Sequence, residues 1–337
     1  MKFLFLSLFP LLMISCSNEP KSKDVNRKIT GEVERLDPAL DSIIDSNAKA
    51  EIIAEGFEWS EGPLWIAKHN MLLFSDVPKN VIYKWTEEKG KEVYLQPSGY
   101  TGEEPSKSKE PGSNGLTLDE EGNLVLCQHG NRQMAKMDAP IDKPAPKFIT
   151  LADKYDNKRF SSPNDAAYWI GDLYFTDPPY GLPSQDDKDS TKEISFNGVY
   201  YLDKKGFVSL ITDSLTRPNG LAFLPDGRLI VANSDPADPS WYIISRSRYI
   251  YVSDVALFYT AKGQDKSAKG SPDGLKIDSK GTVFATGPGG IWIFNSEGKL
   301  LGKIKLKEAS SNVALSPDEK TLYITNDMQV LRIKMRK

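Results

Sequence analysis

Six short segments of this sequence open on an oxygen-bearing side chain and run straight into alternating apolar residues. They are Glu61-Gly-Pro-Leu-Trp65, Asn114-Gly-Leu-Thr-Leu118, Asn164-Asp-Ala-Ala-Tyr168, Asn219-Gly-Leu-Ala-Phe223, Asp273-Gly-Leu-Lys-Ile277 and Asn312-Val-Ala-Leu-Ser316. The opening set is two carboxylates, Glu61 and Asp273, and four amides, Asn114, Asn164, Asn219 and Asn312. Carboxylate and amide oxygens are hard donors that suit Ca²⁺, Mg²⁺ or Mn²⁺ better than a soft metal. Two carboxylates also balance the charge of one divalent ion. Taken singly, each such residue reads more readily as a turn cap. At six matching positions they point to one shared polar site.

The rest of the composition removes competing chemistries. The chain holds only two cysteines, Cys16 and Cys127, and two histidines, His69 and His129. Zinc sites rich in cysteine or built on three histidines are therefore impossible. A Ser-His-Asp triad is disfavoured, because neither histidine lies near a Gly-x-Ser-x-Gly elbow. The net charge is -3 and the pI about 5.7, so nucleic acid is not an expected partner. Cys127 sits in an apolar run and reads as a buried, inert thiol.

The elements that must position the six residues follow from the repeat. Each opening segment is followed by a turn cluster, such as Asp119-Glu-Glu-Gly-Asn123 or Pro225-Asp-Gly-Arg228. A second apolar strand comes next, as in Leu72-Leu-Phe-Ser-Asp76 and Leu322-Tyr-Ile-Thr-Asn326. These are hairpins, and they recur at intervals of 53, 50, 55, 54 and 39 residues. Most intervals leave room for two more strands, for example Gly198-Val-Tyr-Tyr-Leu202 and Phe207-Val-Ser-Leu-Ile-Thr212. Four strands per repeat and six repeats predict an all-β fold, a six-bladed β-propeller over residues 46–337 with a central metal site. The sixth repeat is short of strands, and Ala50-Glu51-Ile52-Ile53 is placed to close the ring. Innermost strands line a propeller's axis, so the six opening side chains converge there.

The N-terminus reads as a targeting segment. Phe3 to Ile14 is an apolar run after Met1-Lys2, too short to span a bilayer as a helix, and residues 1–15 have the form of a signal peptide. Cys16 after Met13-Ile14-Ser15 resembles a bacterial lipobox. It predicts an exported lipoprotein anchored through Cys16 and facing the periplasm or cell exterior. Secretion with cleavage near Ser15 is the plainer alternative. Residues 16–45 read as a polar, flexible tether.

The chain resembles the gluconolactonase–regucalcin family of metal-dependent propeller lactonases over residues 50 to 330. The resemblance is carried by Glu61-Gly-Pro-Leu-Trp65, Cys127-Gln-His-Gly-Asn-Arg132, Ser162-Pro-Asn-Asp165 with Tyr174-Phe-Thr-Asp-Pro-Pro-Tyr-Gly181, Arg217-Pro-Asn-Gly220 and Ser271-Pro-Asp-Gly274, in order at blade spacing. It implies a metal held by Glu61, Asn164, Asn219 and Asp273, with Asn114 and Asn312 outside the ligand set. Ser162 departs from the regucalcin branch, which has Arg there. The ligand set favours one Ca²⁺, with Mg²⁺, Mn²⁺ or Zn²⁺ as alternatives, and leaves positions open for water and substrate. The implied function is hydrolysis of a small lactone, in first place a sugar lactone, by polarising its carbonyl for attack by water. Asp273 is the candidate to orient or deprotonate that water. His129 is a candidate to bind substrate or shuttle a proton, and Asn114, Asn164 and Tyr180 are the other candidate substrate contacts. His69, in a turn at the opposite end, is read as inert. Three insertions, at residues 96–111, 180–193 and 235–249, should rim the same face. Their Tyr180, Trp241 and Tyr242 either stack on a sugar or pack the loops down. A non-catalytic ligand-binding propeller and an aryl-esterase or phosphotriesterase are the rival functions.

Overall fold

The computed structural model describes residues 28–247, 250–265 and 267–335. The predicted signal peptide, Cys16 and residues 17–27 lie outside them. Among the described residues no helix is long and apolar enough to cross a membrane.

Alternating apolar runs fold as antiparallel strands, and these assemble into six sheets of four principal strands. Blade one runs from Ser60–Ile66 to Gly90–Leu95, and blade two from Ser113–Leu118 to Phe148–Ala152. Blade three spans Ala166–Trp169 to Val208–Thr212, and blade four Pro218–Phe223 to Ile250–Thr260. Blade five spans Leu275–Ile277 to Leu300–Lys305. Blade six uses Asn312–Leu315, Thr321–Asn326 and Gln329–Lys334 and takes its fourth strand, Ala50–Glu55, from the other end of the chain. Gln329 pairs with Glu55 and Leu331 with Ile52, which zips the ring shut as the repeat count demands. The innermost strands touch one another in cyclic order and enclose the axis.

The cores lie between neighbouring blades. Cys127 is fully buried between blades two and three, with Phe160, Phe175 and Tyr200 around it. Burial pushes its thiol up, as expected of an inert cysteine. Between blades four and five, Trp241 packs on Trp292 at 5.4 Å and Phe294 at 5.3 Å between ring centroids.

Two expectations need correction. Residues 28–45 are part of the propeller body. Ile29–Thr30 adds a fifth strand to blade six and Glu32–Arg35 a fifth to blade five. A short 3₁₀ turn, Pro38–Ser42, is capped by Asp37, whose side chain accepts from the Ala39 N–H, and Leu40 and Ile44 are buried beyond it. Polar alternation such as Glu32-Val-Glu-Arg35 suits an edge strand with one solvated face, so its composition resembles a tether. The insertion at 235–249 is also mostly strand. Ser240–Ser247 is the third strand of blade four, which pairs Trp241 with Ala232 and carries it into the core. Tyr242 is tied down, its hydroxyl donating to Asp238 Oδ2 at 2.5 Å.

Candidate metal and substrate site

Five of the six opening residues meet. Glu61, Asn114, Asn164, Asn219 and Asp273 line one cavity of about 580 Å³. Glu61 and the three amides are buried, and Asp273 is half-buried. Backbone irregularities aim them. The pairing register slips between Glu61 and Leu64, Ser113 and Leu116, and Pro218 and Leu221, so each strand bulges around its ring residue. Such bulges redirect a side chain next to an active site. The glycines after the ring residues serve close approach between blades. A Cβ on Gly115 would lie 2.7 Å from Asn164 O, and one on Gly220 2.3 Å from Asp273 O. Both glycines instead donate N–H to those carbonyls, at 2.8 and 3.1 Å.

Asn312 is the exception: it does not line the cavity, though its side chain hydrogen-bonds to the Glu61 carboxyl. Its Nδ2 donates to Asp165 Oδ2 at 3.2 Å across the channel, and its Oδ1 accepts from the Val313 N–H at 2.9 Å and Lys276 Nζ at 3.5 Å. Lys276 Nζ lies 3.8 Å from the same Asp165 carboxylate.

The electrostatics of the cavity are those of a site short of positive charge. Burial pushes the Glu61 carboxyl up to about 8, the Gly62 N–H eases it, and Asp165 and Glu110 push it further. Burial also holds Asp273 well above the usual carboxylate range, and Glu61, Asp165 and Glu110 add repulsion. The nearby cations are engaged elsewhere: Arg217 pairs with Asp187 at 3.2 Å and Lys276 with Asp165. Asn114 Oδ1 is buried with no hydrogen-bond partner. Asn219 Nδ2 donates to Ser234 Oγ at 2.9 Å, and that hydroxyl donates to Pro272 O at 2.6 Å. The amino end of Asn219 is thereby spoken for, and it also hydrogen-bonds to Asp273. Among the described residues no three His, Cys, Asp or Glu side chains form a metal cluster, so a cation here must use amides beside the two carboxylates. Hard oxygens, two negative charges and an orphaned acceptor fit a divalent cation such as Ca²⁺.

His129, a candidate substrate contact in the sequence, is set back from the cavity. It is fully buried and does not line the cavity. It stands behind Asn164, with Nε2 3.5 Å from Asn164 Nδ2 and Nδ1 3.5 Å from Glu110 Oε2. It directly follows the strand Leu124–Gln128, at the cavity end of blade two. The loop after blade three's second strand seals it: a Cβ on Gly181 would sit 2.7 Å from His129 Cβ. Ser162 pins that loop, accepting from the Gly181 N–H at 2.8 Å and donating to Pro178 O at 2.6 Å. Tyr180, on the same loop, does line the cavity, with the Arg217 guanidinium 5.8 Å from its ring centroid.

Residues 59–327 match the model of the SMP-30/gluconolactonase/LRE-like region. The chain belongs to this family. A gluconolactonase from Zymomonas mobilis is 37% identical, with 96% of this chain and 91% of the relative covered. A solved gluconolactonase from Xanthomonas campestris is 27% identical with a TM-score of 0.76, over 91% of this chain and 97% of the other. A calcium-binding regucalcin from Agrobacterium tumefaciens, 14% identical at a TM-score of 0.64, covers 85% of this chain and 94% of its own and shares the fold. Trp59, Glu110, Asp187, Arg217 and Asp235 also line the cavity. The sequence reading gave none of them a role, but the insertions it placed on the rim, 96–111, 180–193 and 235–249, supply Glu110, Asp187 and Asp235. Arg217 carried a usable signal, two residues before Asn219. The acids sit on loops whose register no repeat fixes.

Proposed function

We propose that the protein is a divalent-cation-dependent hydrolase that opens a small sugar lactone, with Ca²⁺ as the favoured ion. The observation that carries this reading is the convergence of Glu61, Asn164, Asn219 and Asp273 in one cavity, with both carboxylates held in surplus negative charge. The likeness to the Zymomonas gluconolactonase supports the lactone as substrate. Those four side chains would hold the ion, and Asn114 Oδ1 is a further acceptor within the same cavity. When bound, such an ion supplies Lewis-acid polarisation of an ester carbonyl. The chain's own residues do the rest. Asp273, half-buried at the cavity wall, orients the attacking water and takes up its proton. Tyr180 and Trp59 offer ring faces to the substrate, and Arg217 and Glu110 offer polar groups to its hydroxyls. Ring opening consumes one water and yields the hydroxy acid.

A pH-stat assay of purified protein on glucono-δ-lactone, a homoserine lactone and an aryl ester tests this, with EDTA and after Ca²⁺ is restored. We expect acid release from the sugar lactone, lost in EDTA and regained with Ca²⁺. Turnover unaffected by EDTA would remove the cation from the mechanism, and turnover of the aryl ester alone would replace the substrate class. Export and lipid attachment at Cys16 belong to the same reading, supported by the apolar run that ends there. A Cys16→Ser protein should leave the membrane fraction, and one that stays there would rule the anchor out.

A further inference from the structure

We propose that His129 and Glu110 are positioning residues that hold the Asn164 amide with its carbonyl oxygen toward the cation. The inference rests on the cation reading above and adds to it how an amide ligand is kept the right way round. A side-chain amide has a donor end and an acceptor end, and only the oxygen can serve a cation. The two ends are nearly the same size, so packing alone selects poorly between them. Asn219 solves this with a hydroxyl: Ser234 accepts from Nδ2 and donates its own O–H to Pro272 O. Asn164 has no hydroxyl there. Its Nδ2 faces His129 Nε2 at 3.5 Å.

For that contact to hold the amino end, Nε2 must be the unprotonated nitrogen of a neutral imidazole. The ring proton is then on Nδ1. Glu110 is the group that selects this tautomer. Its Oε2 lies 3.5 Å from Nδ1, and among the described residues Nδ1 has no hydrogen-bond partner. A carboxylate at that place favours N–H over a lone pair. Glu110 is steadied from the other side, its Oε1 accepting from Gln185 Nε2 at 3.0 Å. The polarity then runs one way, from carboxylate to imidazole N–H, to imidazole nitrogen, to amide N–H, to amide carbonyl. Complete burial of His129 under Gly181 argues against a direct catalytic role, because a general base must come within hydrogen-bond reach of the proton it takes.

The test is Ca²⁺ binding to the metal-free full chain, measured by titration calorimetry with Ca²⁺ alone. Replacing a group that orients a metal ligand typically costs 10–100-fold in affinity, so His129→Leu should weaken Ca²⁺ binding by about that factor. His129→Gln offers a carbonyl to the same amide N–H and should stay within about threefold of the parent. Glu110→Ala should fall between the two. In an Asn164→Asp background the effect of His129→Leu should vanish, because a carboxylate presents oxygen either way round. Melting of the metal-free proteins checks the fold, and His129→Gln and Glu110→Ala keep the test alive if the leucine variant does not fold. Unchanged affinity in His129→Leu, or equal loss in the leucine and glutamine variants, would overturn the proposal. A parent chain that binds no Ca²⁺ would instead reject the cation reading on which it stands.

Discussion

The central channel contains two polar layers that answer the same problem in opposite ways. One is the cavity ring, where Glu61 and Asp273 face each other among amides and both are pushed toward protonation. The other is Asp165, Asn312 and Lys276, packed against the ring, where Asn312 also hydrogen-bonds to Glu61. There the carboxylate accepts from the Ala166 N–H at 2.8 Å and from Asn312 at 3.2 Å, and an ammonium stands 3.8 Å away. Buried charge is costly unless it is paired and hydrogen-bonded. The second layer brings its own cation and joins opposite blades three and six. In the first, no lysine or arginine pairs with Glu61 or Asp273 among the described residues, and that is the charge the proposed cation would supply.

The sharpest way to break this contrast is to take one charge from each layer. Asp273→Ala removes half of the balancing charge in the ring. Affinity for Ca²⁺ depends steeply on ligand charge and count, so we expect a loss of about three orders of magnitude or more. Lactone turnover should fall with it, while the propeller still melts cooperatively. Asn312→Ala, in the self-satisfied layer, should keep one Ca²⁺ per chain. Elemental analysis beside calorimetry decides, and equal metal loss in both variants would erase the distinction between the layers.

Acidity sharpens it further. In the metal-free protein Glu61 is raised to about 8 from an ordinary 4.5, so the folded state keeps a proton that the unfolded state releases. A raised carboxyl destabilises the fold progressively as pH rises from about 4.5 toward about 8, and has no effect below that window. Glu61→Gln removes the penalty. In EDTA, the melting temperature of Glu61→Gln relative to the parent should therefore climb between pH 5 and pH 8. Ca²⁺ should stabilise the parent at pH 8 and do little for the variant. A relative melting temperature that is flat or falling with pH would contradict the surplus of negative charge in the ring.

The second layer gives a smaller effect. Lys276→Met strips the ammonium from Asp165. Breaking a fully buried ion pair costs about 3–5 kcal/mol, but Lys276 is partly exposed and 3.8 Å away, so about 1–2 kcal/mol is expected. Denaturant unfolding measures it, and the Ca²⁺ stoichiometry should not change.

Much of this was legible in the sequence, for a definite reason. A propeller repeats its inner hairpin, and the repeat keeps the residue before each strand in register, so Glu61, Asn114, Asn164, Asn219 and Asp273 were named from spacing alone. Ring closure by Ala50–Glu55 followed from the missing strand. What spacing does not report is depth and orientation. Asn312 shares the register, yet its side chain is spent on Asp165 and Glu61 and does not line the cavity. His129 sits at the correct end but behind Asn164. Glu110 and Asp187 lie on loops that no periodicity constrains, and the edge strand Glu32–Arg35 is polar because one of its faces meets water.

Tyr180 tests how far substrate recognition separates from the ring. It is the one aromatic of the three named on the rim that reaches the cavity, since Trp241 is core and Tyr242 is bound to Asp238. Its neighbour Gly181 and the Ser162 hydroxyl fix the loop, so truncating the ring should leave the backbone in place. Aromatic contacts add about 0.5–1.5 kcal/mol beyond area, and Tyr180→Leu should therefore raise KM for glucono-δ-lactone about threefold to tenfold. The kcat should hold, because the ring's oxygens are untouched and uniform binding alone is lost. Ca²⁺ affinity should also hold. A lactone without ring hydroxyls should show a smaller change, as it has less to align against the face of the phenol. A fall in kcat with KM unchanged would place Tyr180 among the groups that act on the reacting bond, and the division between metal ring and substrate wall would have to be redrawn.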